Sequence, residues 1–280
     1  MLMTVLNGVT YAGLLFIIAV GLALVFGVLR VVNMSHGVMY LGAAYIALTV
    51  LRISDSWVLG VTAACVAGAI AAILLNYVVA TVKGDMPQTL LTLGITLAVS
   101  DLCLWIWGGL PTRIDPPSVL AQPVSIFGIS YPGFRIFMFG VALVVGFVLW
   151  YVMSRTQLGR LLRAGVDDRE MLGALGFNSR TLFVSAFVIS GVLIGLAGAV
   201  GGSYLAFGPG TEFSMLTLAL VVVIIGGMGS IPGAAVGALI VGLVDSFGRT
   251  YLGDLSSFLL MGTLVIVLAV RPQGLFQEVR

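Results

Sequence analysis

Few residues of this sequence can do chemistry, and they fall in three places. The only histidine, His36, stands in the run "RVVNMSHGVMYLGAAYI" with Asn33, Ser35 and Gly37 beside it. Two acids, Asp101 and Asp245, interrupt long apolar runs. The stretch "SRTQLGRLLRAGVDDREMLGALGFNSR", from Ser154 to Arg180, holds charge more densely than any other part of the chain. One histidine without a second at ligand spacing leaves no zinc-type ligand set. No G-x-x-x-x-G-K-[ST] run is present to cradle a nucleotide phosphate, no H-E-x-x-H, and no nucleophile paired with a base. Cys65 and Cys103 both lie inside apolar runs and read as small packing residues, not as a disulfide. These residues thus give little support to an intramembrane enzyme.

The elements that must position these residues are set by composition. Of 280 residues 60% are hydrophobic and only 9% charged, against about a quarter charged in soluble domains; mean hydropathy is +1.18. Apolar runs recur at roughly 7–29, 36–51, 57–82, 87–109, 133–153, 181–206, 214–227, 231–248 and 256–270. Most are close to the ~20 residues that cross a hydrocarbon core as a helix. The chain is expected to be an all-α polytopic membrane protein of about eight or nine transmembrane helices, forming one transmembrane domain over 1–280. The run 214–227 is short and is followed by "GGMGSIPG"; it could cross, or be half of a broken or re-entrant helix. No charged n-region, short apolar core and cleavage site open the chain, so Met1 onward is expected to belong to the mature protein. A net charge of +2 gives no reason to expect a nucleic-acid partner.

If every run crosses, Arg30, Lys83, Arg155, Arg160, Arg163, Arg169, Arg180, Arg271 and Arg280 share one side, and Arg52, Arg113, Arg135 and Arg249 the other. The positive-inside rule puts the larger group in the cytoplasm, the N-terminus outside and the C-terminus inside. Trp57, Trp105, Trp107 and Trp150 then fall near helix ends, as an interfacial aromatic belt would have them. The loop at about 111–132 becomes external, with a weak hairpin signal around Phe127-Gly128. The loop at about 154–180 becomes cytoplasmic.

In that cytoplasmic loop Leu158, Leu161 and Leu162 share a helical face opposite Arg160 and Arg163. After a break at Gly165, Asp167 can cap a second short helix with Glu170 three residues on. Met171, Leu172 and Leu175 give it an apolar patch, and Gly176 a natural end. Two short amphipathic helices with apolar patches that find no partner in the chain are expected to dock on something else.

These residues carry a resemblance. The Arg-x-x-x-Gly-Arg and Arg-Ala pattern (Arg155, Gly159, Arg160; Arg163, Ala164), the acidic stretch and the Ala-x-x-Gly-hydrophobic-Asn close resemble the coupling loop of bacterial ABC importer permeases of the branched-chain amino acid type. "VNMSHG" is similar to the Asn-x-x-His-Gly segment after the first span of that family. "GGMGSIPGAAVGALIVG" is similar to its glycine-rich segment, and "RPQGLF" to its C-terminal close. The resemblance runs in order over nearly the whole chain. It implies a permease subunit in the bacterial inner membrane, with a homologous second permease, two ATP-binding subunits and an extracytoplasmic substrate-binding protein. It also implies alternating access driven by ATP and Mg bound on the partners, with no cofactor on this chain. Arg155, Gly159, Arg160, Leu161, Arg163, Ala164, Leu172, Leu175 and Gly176 would then meet the ATPase, with bare Gly159 allowing close approach. Asn33, Ser35, His36, Gly37, Asp101, Gly226, Gly227 and Gly229 would shape the pathway or its gate.

Each feature also has a plainer reading. Asn33 or Ser35 can simply cap the second helix, and a lone histidine is commonly a satisfied structural group. A carboxylate at the middle of a lone helix costs roughly 2.5–3.5 kcal/mol, so Asp101 and Asp245 are expected to face protein or water. The family often has an amide where this chain has Asp101. The pairs Gly191/Gly195 and Gly229/Gly233/Gly237 serve close helix packing or a sliding surface, and Pro232 after Gly229-Ser230 points to a backbone break. "NYVVATVKGDMPQTLL" lacks the Glu-Arg and Arg-Pro pattern common in the family, which leaves urea, amides and small organic acids as substrates beside neutral amino acids. The alternative to the importer is an ATP-independent transporter or channel, whose ion site would have to come from Asp101, Asp245 and His36.

Overall fold

The computed structural model describes residues 1–29, 33–126, 128–167, 172 and 177–276. Within them the chain forms eleven α-helices and one small hairpin. Four helices lead to the first long loop: α1 (Leu2–Leu29), α2 (His36–Ser54), α3 (Trp57–Val79) and α4 (Asp85–Trp107). The loop carries the one-turn α5 (Ser118–Ala121) and strands β1 (Pro123–Ile126) and β2 (Ile129–Pro132). Helices α6 (Gly133–Arg155), α7 (Gln157–Asp167), α8 (Ser179–Tyr204), α9 (Thr211–Gly226), α10 (Ile231–Tyr251) and α11 (Ser256–Val270) complete it. Seven are long and apolar enough to cross a membrane; α9 and α11 are shorter. The all-α polytopic expectation holds, and the hairpin closes around Gly128, at φ +78°, where the sequence signalled it.

Helix α1 is apolar on every side, and 89% of its best apolar window is buried. A helix without a polar face belongs at the centre of a bundle, and α1 is packed by α6, α8, α9 and α10. Leu14, Leu15, Ile17, Ile18 and Leu22 are at most 1% exposed within the core. Around it the other helices turn apolar residues outward, as on Val66, Ile70 and Leu74 of α3 or Val144, Phe147 and Val148 of α6, which suits a surface solvated by lipid.

Hydrophobic force cannot bring helices together in lipid, so contact is won by close packing. The Gly191/Gly195 pair of α8 does this against α3. A Cβ on Gly191 would overlap the Gly68 carbonyl, and one on Gly195 would overlap the Ala64 carbonyl. The second glycine group packs α9 against α10 through Gly226, Gly233 and Gly237. Ser230 caps α10, its hydroxyl accepting from Gly233 N at 3.0 Å, and Pro232 sits in the first turn, where its missing N–H does no harm. Leu275 N and Phe276 N donate to the carbonyls of Ile225 and Gly226, so the C-terminal tail closes the end of α9.

The short helix α9 answers the question left by its length. Its 16 residues span about 24 Å, less than the ~30 Å hydrocarbon thickness. Its Glu212 side chain meets Ser100 of α4, seven residues before α4 ends at Trp107. Helix α9 therefore begins inside the bundle, below the end that bears the hairpin. Helix α2 also starts inside: His36 meets the carbonyl of Ile18, 11 residues from the far end of the 28-residue α1.

The α3–α8 crossing is testable by bulk. Gly195→Leu must push two backbones apart, and we expect it to exceed the ~1–3 kcal/mol usual for overpacking, read as a lower Tm and less folded protein in detergent. Gly140→Ala has no atom within 4 Å of the added carbon and should leave both unchanged or slightly raised.

Candidate functional site

The polar residues of the bundle converge where α2 and α9 begin. A helix start leaves backbone N–H groups without intrahelical partners, and inside a bilayer each must find one. At α2, Ser35 N donates to Asn33 Oδ1 at 3.0 Å and Met34 N to Thr92 Oγ1 at 3.2 Å. The Ser35 hydroxyl makes no cap bond and instead donates to the Thr92 carbonyl of α4 at 2.9 Å. Of the two candidate caps, Asn33 closes the turn before the helix and Ser35 ties α2 to α4. His36 is 1% exposed and its Nε2 lies 3.0 Å from the Ile18 carbonyl. A carbonyl can only accept, so Nε2 carries the proton and Nδ1 is left an acceptor. Among the described residues Nδ1 has no hydrogen-bond partner.

At α9 the centre is Glu212, 2% exposed. Its Oε1 accepts from Ser100 Oγ at 2.6 Å and its Oε2 from Gly210 N at 2.8 Å. A buried acid in a membrane helix must be hydrogen bonded, and these two donors, at a helix start where the dipole favours an acid, meet that need. Gly37 joins the two starts: a Cβ there would overlap the Glu212 carbonyl, so only glycine lets α2 and α9 meet. Toward the hairpin end the knot is covered by aromatic rings. Tyr45 stacks on Trp107 at 4.9 Å and meets Phe207 edge-on at 5.1 Å, while Trp107 Nε1 donates to Thr49.

The sequence-derived site residues divide. Asn33, Ser35, His36 and Gly37 come together, as expected. Asp101 does not join them: it is exposed, because Ser100 faces inward and the next residue of a helix points about 100° away. Gly226, Gly227 and Gly229 lie at the other end of α9, 14 residues and about 21 Å beyond Glu212. Gly227 and Gly229 adopt φ +103° and +84° in the turn to α10. Asp245 is paired with Arg249 at 2.7 Å. Asp101, Asp245 and His36 thus form no common ion site. Glu212, Ser100, Thr92 and Thr96 were missed. The apolar run starts at residue 214, two residues past Glu212, which left the acid outside it.

The charged loop also departs from expectation. Helix α7 runs through Gly165 to Asp167 without a break. Gly159 is buried, and a Cβ on it would overlap the backbone of Met153. It therefore serves the sharp turn from α6 to α7, not the approach of another protein. Leu162 and Leu172 are 4% and 2% exposed and so are covered by the chain itself, Leu172 lying beside Gly165. Arg155, Arg160, Arg163 and Ala164 are exposed and Leu161 is half-buried. Arg163 Nη1 donates to the Met153 carbonyl at 2.6 Å. The second short helix, with Glu170, Met171, Leu175 and Gly176, lies outside the described residues.

The family model described as branched-chain amino acid transport system, permease component, matches residues 4–268. The chain belongs to this permease family. It is 30% identical to the high-affinity branched-chain amino acid transport system permease protein BraD of Pseudomonas aeruginosa, over 98% of this chain and 95% of that one. It is 26% identical to LivH of Salmonella typhimurium, over 96% and 93%, and 28% identical to LivM of Escherichia coli, over 94% and 68%. No solved structure matches. The permease is thus a multi-pass membrane protein and a transport subunit, and the polar knot sits in its interior.

Gly37→Ala tests whether the knot matters to transport. The added methyl must part α2 from α9, and uptake per folded protein should fall at least about tenfold, a ~1.4 kcal/mol effect. Membrane insertion, read by fractionation, should be retained.

Proposed function

We propose that this permease is one membrane subunit of an ATP-driven importer, carrying branched-chain or other neutral amino acids across a bacterial inner membrane by alternating access. The names of the relatives BraD, LivH and LivM support the substrate class, and the match to both LivH and LivM supports a homologous second permease as partner. Two ATP-binding subunits would supply the energy that this chain, without a P-loop, does not. An extracytoplasmic binding protein would deliver the solute to the hairpin end.

The observation that carries the reading is the arginine-bearing shelf α7. It projects Arg160 and Arg163 from one end of the bundle, next to Arg155 at the end of α6, while Leu162 and Leu172 are buried against the body. Such a shelf is fixed to the spans and charged on its free side, as a lever pushed by a partner must be. Leu161 and Ala164 offer the apolar part of the contact, and acids on the ATPase rim would pair with Arg160 and Arg163. The cytoplasmic side is assigned to the shelf by charge. Lys83, Arg155, Arg160, Arg163, Arg180 and Arg271 gather at its end, and Arg52, Arg113, Arg135 and Arg249 at the hairpin end, so the N-terminus is outside and the C-terminus inside.

Orientation is checked by labelling intact cells with an impermeant thiol reagent. Val119→Cys, in the hairpin loop and 83% exposed, should react, and Arg160→Cys should not; the reverse pattern sinks the assignment. Coupling is checked in proteoliposomes holding the full complex. Arg160→Glu should leave the permease folded, since exposed changes seldom exceed ~0.5 kcal/mol. ATP-driven uptake should nonetheless drop by tenfold or more. Unchanged uptake removes α7 as the coupling element.

A further inference from the structure

Helix α4 is built inside out. Its buried residues are Thr92, Thr96, Ser100 and Cys103, one stripe at helical spacing, while Leu90, Leu97, Leu102, Leu104 and Trp105 face outward. Only 17% of its best apolar window is buried. At the hairpin end Cys103, Val99 and Trp107 pack against α2 and its neighbours, and over the rest of the inner face hydroxyl bonds make the ties. The bonds are Ser35 Oγ to the Thr92 carbonyl, Met34 N to Thr92 Oγ1 and Ser100 Oγ to Glu212 Oε1. Such bonds can be exchanged for bonds to water or solute wherever a path admits them. Beside α4 lies an apolar cleft. A cavity of about 450 Å³ opens between α2, α3 and α4. Ile95 and Val99 line it from the α4 side, Gly42 and Ser35 from α2, and Gly68 and Leu75 from α3.

A polar stripe closed by one buried carboxylate, on a loosely packed helix with an apolar cleft at its flank, describes a wall that can move. We propose that α4 is the moving wall of the solute path and that Ser100–Glu212 is its latch. Release of the latch lets α4 shift into the cavity and uncovers Thr92, Thr96 and Ser100 as a hydroxyl-lined surface for a small hydrogen-bonding solute. Glu212 is a positioning residue: it acts through Ser100 and holds α4 in the closed arrangement. The link between this motion and ATP rests on the importer reading; the latch itself does not.

The experiment uses the full transport complex in proteoliposomes, with Cys65→Ala and Cys103→Ala and a single Thr96→Cys thiol, probed by a charged thiosulfonate. At rest the thiol should react slowly. During ATP-driven turnover its rate should rise about tenfold or more, while a lipid-facing Leu97→Cys thiol stays slow in both states. Added to the Thr96→Cys protein without ATP, Ser100→Ala or Glu212→Ala should raise the resting rate severalfold. Glu212→Gln keeps an acceptor for Ser100 and should stay near the parental rate, which separates a latch from a general loosening of the fold. The proposal is overturned if the Thr96→Cys rate is the same at rest and in turnover while uptake proceeds. It is equally overturned if neither latch variant changes the resting rate. If the unsubstituted complex shows no ATP-driven uptake, the importer reading fails instead, and the resting arm still decides the latch.

Discussion

Inside a hydrocarbon layer a backbone N–H has no water to bond, and two helices of this permease begin there. That constraint explains more of the structure than any other. The start of α2 is satisfied by Asn33 Oδ1 and Thr92 Oγ1, and the approach to α9 by Thr211 Oγ1, which accepts from Gly208 N, and by Glu212 Oε2. Each acceptor must itself be placed by a helix. So α4 turns its hydroxyl stripe inward, Gly37 gives up its side chain, and the aromatic cover of Tyr45, Trp107 and Phe207 closes the end nearest the hairpin. The polar groups are concentrated because the backbone needs them at that depth.

The rest of the bundle obeys the opposite rule. Around α1, α3, α8 and α10, association comes from small residues that let backbones touch: Gly68 with Gly191, Ala64 with Gly195, Gly8 with Gly242. These contacts rest on the close fit of two backbones, which a side chain at any of these glycines would spoil. The permease is thereby divided into a part fixed by shape and a part fixed by exchangeable hydrogen bonds. The second part coincides with the polar knot.

Much of this was legible in the sequence. The apolar runs foretold the nine long or moderately long helices within a few residues at each end, and the Gly-x-x-x-Gly groups foretold close crossings. The hairpin signal at Phe127-Gly128 and the polar cluster at Asn33–Gly37 were also found. Depth was not legible. Hydropathy locates a run along the chain but not its level in the membrane, so the short run at 214–227 was left open between a crossing and a broken helix, and the internal start of α2 and the role of Glu212 went unread. Facing was half legible. Asp101 and Ser100 are neighbours in sequence and sit on different faces of α4, and the charge drew attention where the hydroxyl belonged. Gly159 misled for a similar reason: a glycine beside arginines looks like room for a partner, but the room is taken by Met153.

The corrected environment of Gly159, Leu162 and Leu172 changes how force would pass through the molecule. A loop whose leucines lay bare would fold only against a partner, and a push on it would be spent in ordering the loop. Here α6 turns into α7 over a single residue, Thr156, whose hydroxyl donates to the Val152 carbonyl at 2.6 Å. Arg163 is bonded back to Met153, and Leu172 lies close to α7 at Gly165. A displacement of the shelf must therefore move the end of α6 with it, and α6 lies along α1. The same central helix supplies the Ile18 carbonyl that His36 holds. The shelf and the knot are thus both anchored on α1, the shelf directly and through α6, the knot through the Ile18 carbonyl.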